Sequence, residues 1–297
     1  MQEVFVLEEV GFRYPGEQCA VLDRVNLAVP AGKVIALVGL SGSGKTTLLN
    51  MLGLLSAGDG ETGRITYRDG TRPYPYQDIH ENQRAELRKH HFGFVLQSSY
   101  LLPHFSCARN IAMPLELCGL PRSRQDAIVT ELLEQADAEH QGLLQVRDHL
   151  ARTVSGGQRQ RVAVLRAIVH NPRVVFADEP VSNLDPDNEE ITLTMLEHWQ
   201  QGKLTSPNHV AATDQDGPPA PPRTLILVSH DVEMAWKRAQ HFVVVQRGYR
   251  GASSSGPLLG GHGGTQATGV VVRAKEDLSG PKELEELMRS RGGTVVP

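Results

Sequence analysis

A chain of 297 residues is long enough to bury one large α/β core or two small ones, and its 40% apolar and 22% charged content is that of an ordinary globular protein. A formal net charge of −4 argues against a nucleic-acid partner, which asks for a basic patch or a strongly basic domain. Three irregularly spaced cysteines, Cys19, Cys107 and Cys118, suggest neither a disulfide framework nor a C-x-x-C pair, so a reducing cytoplasm is expected. The start MQEVFVLEEV lacks a basic leader followed by an apolar core, and no apolar run approaches the roughly 20 residues that span a bilayer. No signal peptide is expected, and any membrane role would go through a partner.

In chain order, residues 4–38 read as strands and turns, ending in the fully apolar run Val34-Ile35-Ala36-Leu37-Val38. A glycine-rich turn follows, then a helix from about Thr46 to Leu54. Asp69-Gly70 marks a hairpin within residues 60–75. Residues 98–150 read as mainly helical, with Ser123 as a helix cap, Asp126 at the capping-box position, and Ile128, Leu132, Leu133 and Ala136 on one face. Strand signals return at Val174–Ala177, Leu225–Val228 and Phe242–Val245. Strands alternating with helices predict a mainly parallel sheet covered on both faces. Residues 202–222 contain five prolines and few core formers, and read as a long flexible insertion. Residues 248–269, rich in Gly and Ser, read as a linker. Beyond it Pro281 opens a short helix with Leu284, Leu287 and Met288 on one face, too small to fold alone. One domain over 1–249 and a linker with a helical tail over 250–297 are expected.

Chemistry concentrates in three segments. Residues 39–46, GLSGSGKT, match G-x-x-x-x-G-K-[ST] between a buried strand and a helix. Gly39, Gly42 and Gly44 let the backbone wrap phosphate oxygens, with Leu40, Ser41 and Ser43 between them. Lys45 supplies a point charge to the β- and γ-phosphates, Thr46 a hydroxyl to Mg²⁺, and the helix that begins here directs its positive end at the anion. Asp178 ends the strand over 174–177, where it can hold Mg²⁺ through water. Glu179, one residue on, suits the base that positions an attacking water. Ser155-Gly156-Gly157-Gln158 opens another helix, with Ser155 as its cap and bare amides able to meet a second phosphate. One chain, however, has one nucleotide to bind.

The P-loop GLSGSGKTT, the segment VSGGQRQRVAVLRAIVHNPRVVFADEP and the later SNLD and VSHD, in this order, resemble the ABC (ATP-binding cassette) ATPase family over residues 4 to about 249. The resemblance implies an α/β P-loop NTPase fold with a mainly parallel core, an N-terminal antiparallel β subdomain and a helical subdomain over about 98–155. It implies ATP and Mg²⁺ as ligands, with Thr47 closing the P-loop set. Two copies would sandwich ATP, the Ser155–Gln158 segment of one serving the P-loop of the other. By position, Gln97 resembles the glutamine that senses Mg²⁺ and γ-phosphate, and His230 the histidine that contacts γ-phosphate. Asp185 resembles the aspartate that couples the two sites; it can equally cap the helix opened by Pro186, and both can hold. Tyr14 resembles the aromatic that stacks on adenine, with Phe12 competing for that role.

KHHFGFVLQSSYLLPHFSCARNIAMPL is similar to the branch that includes lipoprotein-releasing, macrolide-exporter and cell-division ATPases, in which a separate transmembrane permease docks around Gln97 to Pro114. Its members sit on the inner face of the cell membrane through that permease. Two departures stand out. Val154 replaces the usual Leu, a small change in volume. Arg109 stands where the capping pair with Ser106 usually ends in Glu, and its charge opposes the helix dipole. The resemblance implies export or extrusion powered by ATP; the alternative is force transmission in cell division or envelope remodelling without transport. A DNA- or ribosome-directed member would carry long coiled-coil insertions or two cassettes, and this sequence has neither.

Overall fold

The computed structural model describes residues 2–56, 61–139, 142–205, 222–249 and 266–289. Its strands are β1 (Glu3–Phe12), β2 (Leu22–Pro30), β3 (Val34–Val38), β4 (Glu61–Arg68), β5 (Pro73–Pro75), β6 (Phe92–Val95), β7 (Val174–Asp178), β8 (Thr224–Val228), β9 (His241–Tyr249) and β10 (Gln266–Ala274). Its helices are α1 (Lys45–Leu52), α2 (Glu81–His91), α3 (Cys107–Leu117), α4 (Arg122–Glu139), α5 (Gly156–Ile168), α6 (Pro186–Gln200), α7 (Val232–Arg238) and α8 (Pro281–Arg289). They fall into two compact units, one from residues 1–30, 35–79 and 228–297, the other from 31–34 and 80–227.

The first unit holds an antiparallel sheet in the order β2-β1-β4-β5, the expected N-terminal β subdomain. Alternation places Phe5, Leu7, Leu27, Val29, Ile65 and Tyr67 inside, with Phe5 and Tyr67 rings 5.3 Å apart. The Asp69-Gly70 turn forms as expected: Asp69 Oδ1 accepts from the amides of Thr71 (2.7 Å) and Arg72 (2.9 Å). The same unit pairs β3 with β9 in parallel and β9 with β10 antiparallel. All five residues of β3 are buried, as the continuous apolar run requires.

The expected boundary at 249 is corrected here. Gln266–Ala274, assigned by composition to linker and tail, pairs residue for residue with β9 from Gln266↔Tyr249 to Ala274↔His241. The Gly/Ser-rich composition of 248–269 masks the run Val270-Val271-Val272, and pairing with β9 is a non-local event that composition does not register. The helix at Pro281 is present, with Leu284 fully buried and Met288 nearly so. Gln246, near the end of β9, donates its side-chain amide to the Leu287 carbonyl. Lys275 Nζ donates to the Trp236 carbonyl at 2.5 Å, and the Trp236 ring stacks on Phe242. The C-terminal strand therefore extends this unit's sheet beyond β9, and the helix buries Leu284 and Met288. Residues 250–265 lie outside the described residues.

The second unit orders β8-β7-β6, with β6 and β7 parallel in the register Phe92↔Val174 to Val95↔Ala177. Phe176 packs between the rings of Phe92 and Phe94. Helices α3 and α4 lie within the predicted helical stretch. Ser123 is not the cap of α4: the helix starts at Arg122, and the Pro121 carbonyl already accepts from the amides of Arg124 and Gln125. A proline there leaves no amide of its own to satisfy. The insertion also starts later than residue 202. Leu204 is buried, the Thr205 amide donates to Gln135 Oε1, and Arg223 donates to both Trp199 O and Thr205 Oγ1, holding the two ends together. Residues 206–221 lie outside the described residues. Among the described residues, no helix is long and apolar enough to cross a membrane.

Because Leu284 is sealed inside the first unit, Leu284→Ala is expected to lower stability by about 2–5 kcal/mol in denaturant melts, the range for a buried Leu deletion. An independent tail would leave the melt unchanged.

Candidate nucleotide site

In the first unit the loop from β3 to α1 is built by close backbone approach. Gly39 is buried with φ 156°; a Cβ there would meet the Val245 carbonyl oxygen at 2.3 Å and Ser43 Oγ at 2.8 Å. Only glycine lets the loop turn against β9. Leu40, Ser41 and Gly42 form the exposed rim, Gly44 begins α1 with φ 102°, and no acidic residue occupies the helix's first turn. The positive end of α1 is thus left uncompensated. Lys45, 7% exposed, folds back so that Nζ donates to Gly39 O (2.8 Å) and Leu40 O (3.0 Å), across the hollow that the glycines enclose. Thr46 is exposed at the loop's end.

The aromatic alternatives separate by burial. Phe12 is 4% exposed and packs its edge on Tyr14, which is 44% exposed and hydrogen-bonds through its hydroxyl with Thr47 Oγ1 (3.1 Å). Of the two, Tyr14 has the exposed ring. His230 is exposed on the turn after β8. That turn is tied to the end of β3 by the Ser229 amide donating to Leu37 O, and closed by the Asp231 amide donating to Ser229 Oγ.

In the second unit, parallel pairing of β6 and β7 brings two strand ends side by side, the usual place for a ligand in an α/β sheet. Asp178 closes β7, and Glu179 follows with φ 45°, a left-handed conformation that an L-residue adopts at a cost of about 1–3 kcal/mol. Gln97, just past β6, donates Nε2 toward Glu179 Oε2 at 3.5 Å, so the structure brings these two candidates together. Ser155 caps α5 in a full capping box: its hydroxyl accepts from the Gln158 amide (3.2 Å) and Gln158 Oε1 accepts from the Ser155 amide (3.0 Å). Ser155 and Gly156 are exposed, and no acidic residue sits in this first turn either. A hollow of about 300 Å³ lined by Gln97, Gly156, Arg159, Gln160 and Asn183 joins the Gln97 loop to this helix start.

Asp185 caps α6, accepting from the Asn188 amide at 3.1 Å and the Asn188 side chain at 2.7 Å; these bonds, the side-chain one foremost, hold its carboxyl below the usual range. Sequence reasoning missed Asn188. Its side chain lies so close to α5 that a Cβ on Gly157 would meet Asn188 Oδ1 at 2.1 Å. The signal was local: Asn188 stands three residues after a cap, where a side chain can answer the capping carboxylate. Arg109 also departs from expectation. Ser106 Oγ still accepts from the Arg109 amide, but the guanidinium turns away from the helix start, pairs with Glu116 at 2.7 Å and lies over the Phe105 ring.

The residues present fit a nucleotide triphosphate and its cation. Ser43 Oγ is buried beside Gly39 without a hydrogen-bond partner, a polar atom oriented within the loop that an anion would satisfy. Thr46 in the first unit, and separately Asp178 and Gln97 in the second, carry hard oxygen donors of the kind Mg²⁺ takes. A glycine-wrapped Lys-Thr loop at a helix start, with Asp-Glu ending a parallel strand, defines a P-loop nucleotide-binding cassette. The family model described as ABC transporter matches residues 22–182. Macrolide export ATP-binding/permease protein MacB of Burkholderia lata is 33% identical over 83% of this chain and 32% of its own length. Lipoprotein-releasing system ATP-binding protein LolD of Nitratidesulfovibrio vulgaris is 37% identical over 65% of this chain and 79% of its own. The dimeric ATP-binding cassette MJ0796, solved in a post-hydrolysis state bound to ADP and Pi, aligns with TM-score 0.63 at 25% identity, over 80% of this chain and 93% of that one. The chain belongs to the ABC transporter family and has the fold of its ATPase cassettes. It spans about a third of the length of the MacB relatives it matches.

Gly157→Ala is expected to cost about 1–3 kcal/mol in denaturant melts, as overpacking does. Adding Asn188→Ala removes the colliding amide, so the double variant should be more stable than additivity allows.

Proposed function

We propose that this chain binds Mg-ATP at residues 39–47, stacks adenine on Tyr14, and hydrolyses ATP at the interface of two copies to drive export or extrusion by a separate membrane permease. The observation that carries this reading is the pair of glycine-rich, acid-free helix starts, at Lys45 and at Gly156, on a chain with one P-loop. The second start then serves the nucleotide of a second copy. The dimeric state of the MJ0796 cassette supports that arrangement.

Lys45 is the charge for the β- and γ-phosphates, and Gly39 to Thr47 supply amides and hydroxyls around them. Bound Mg²⁺, held by Thr46, Gln97 and, through water, Asp178, would offset phosphate charge. Glu179 orients water and accepts its proton, with Gln97 beside it and His230 directed to the γ-phosphate. Asp185, at the start of α6, links the two copies' sites. The names of the relatives, macrolide export and lipoprotein release, favour a transport role over force transmission without transport. Residues around Gln97 to Pro114 form the permease's docking surface, which places the chain on the inner face of the membrane.

Glu179→Gln should retain ATP affinity and slow single-turnover hydrolysis by about 10²–10⁴-fold. Lys45→Ala should weaken affinity itself. Turnover near that of the parent in Glu179→Gln removes the assignment. In light scattering, Glu179→Gln should dimerise only with Mg-ATP, and Gly156→Asp in that background should abolish the dimer while monomer ATP affinity persists. Gly156 is the position to choose, because a Cβ there meets nothing closer than Arg159 Nη2 at 3.9 Å. A dimer unaffected by Gly156→Asp overturns the shared-site reading.

A further inference from the structure

Helix α5 does more than present its first turn. Gln160, 5% exposed, donates Nε2 to Pro180 O at 2.7 Å and toward Leu96 O at 3.5 Å. These carbonyls adjoin the two residues brought together at the strand ends: Leu96 precedes Gln97, and Pro180 follows Glu179. Two turns further along, Arg166 donates to Ser99 O at 2.6 Å and Tyr100 O at 2.8 Å, on the far side of the Gln97 loop. The helix therefore grips that loop before and after Gln97, and the Glu179 turn immediately after Glu179.

Both gripped segments are strained. Glu179 has φ 45° and Tyr100 φ 44°, left-handed conformations at residues other than glycine. Such backbone persists only where its surroundings over-determine it. Gln160 bonds the carbonyl next to the first, and Arg166 bonds the carbonyl of the second. β6 and β7 end at Val95 and Asp178, and among the described residues their pairing does not reach Leu96 or Pro180. Donors from α5 take over there. Gln160 lies five residues from Ser155 on one helix, about 7.5 Å along its axis, and a packed helix transmits a small displacement over that distance.

We propose that Gln160, with Arg166 as its second point of attachment, is a positioning residue: through it α5 sets the Gln97–Glu179 pair, so that a second copy's nucleotide engaged at Ser155–Gly156 aligns the hydrolytic pair of the chain that engages it. This rests on the reading of Glu179 and of the shared site given above. Gln160 touches no reacting atom; it acts on the backbone that aims Gln97 and Glu179.

The test uses the full chain with Mg-ATP. Gln160→Met keeps length and volume and removes both donors. Expected are a kcat lower by about 10–100-fold, the usual consequence of a misplacement near 1 Å, and an ATP KM within about twofold of the parent. In single turnovers the Glu179→Gln, Gln160→Met double variant should be no slower than Glu179→Gln, because the residue to be positioned is already disabled. Leu132→Ala, at a buried position of α4, supplies a control for a general loss of stability and should leave kcat unchanged. A parent-like kcat in Gln160→Met overturns the proposal. So does an equal kcat loss in Leu132→Ala, or an effect of Gln160→Met that multiplies with that of Glu179→Gln. Should Gln160→Met fail to fold, Arg166→Lys, which keeps the charge but cannot span both carbonyls, is judged by the same criteria. If Glu179→Gln itself turns over normally, the functional reading falls; if Glu179→Gln is inactive and Gln160→Met is normal, this inference alone falls.

Discussion

Phosphate oxygens can be held by backbone amides only where no side chain stands between them, and this requirement shapes both units. In the first, Gly39 runs against the Val245 carbonyl with no room for a Cβ, and α1 begins at once beyond it. In the second, Gly156 is the exposed glycine, with nothing nearer to a Cβ than Arg159 Nη2 at 3.9 Å, while Gly157 packs against the Asn188 side chain. Neither helix carries an acid in its first turn, which is what the proposed phosphate contacts would require. Asp185 and Asp231 cap α6 and α7 with carboxylates, whereas Ser106 and Ser155 cap α3 and α5 with hydroxyls.

The same requirement makes α5 an unusual helix. Its start is exposed and polar, while its body carries Gln160 inward beside Val162, Ala163 and Leu165, with Arg166 half-buried at its edge. Buried polar side chains are tolerated where they satisfy carbonyls that would otherwise lack donors. Here those carbonyls belong to the irregular backbone beyond β6 and β7, where strand pairing stops so that Gln97 and Glu179 can turn toward one another. Leaving the sheet removes the ladder's donors, and the helix replaces them. Structural need and chemical positioning thus coincide in the same hydrogen bonds.

Much of the site was legible before the structure because its chemistry is local. The P-loop, the Asp178-Glu179 pair and the Ser155 capping box each need only a short run of residues at fixed spacing, and each lies on the element predicted for it. The Asp69-Gly70 turn was legible for the same reason. Ser123 shows where local rules mislead: a serine three residues before an acid has the form of a capping box, yet Pro121 accepts the orphan amides first. Strand β10 was hidden for a different reason. A three-valine run after a Gly/Ser-rich stretch gains its stability only by pairing with β9, and that partner lies outside any window that composition can read. Arg109 was visible as an anomaly, but its answer, the ion pair with Glu116 and the contact with Phe105, depended on how α3 and its preceding loop pack.

By itself, then, the sequence determined the residue types that can meet a triphosphate, the order of strand and helix around them, and membership in a family of ATP-binding cassettes. Only the tertiary structure showed that the Phe12 ring is buried and the Tyr14 ring exposed. It alone paired Gln97 with Glu179, set Asn188 against Gly157, and paired Gln266–Ala274 with β9. The physical reason is range. Capping, turning and amide presentation are settled within a few residues, whereas burial, strand pairing and the satisfaction of carbonyls beyond a strand's end depend on partners tens of residues away, which become neighbours only when the chain has folded.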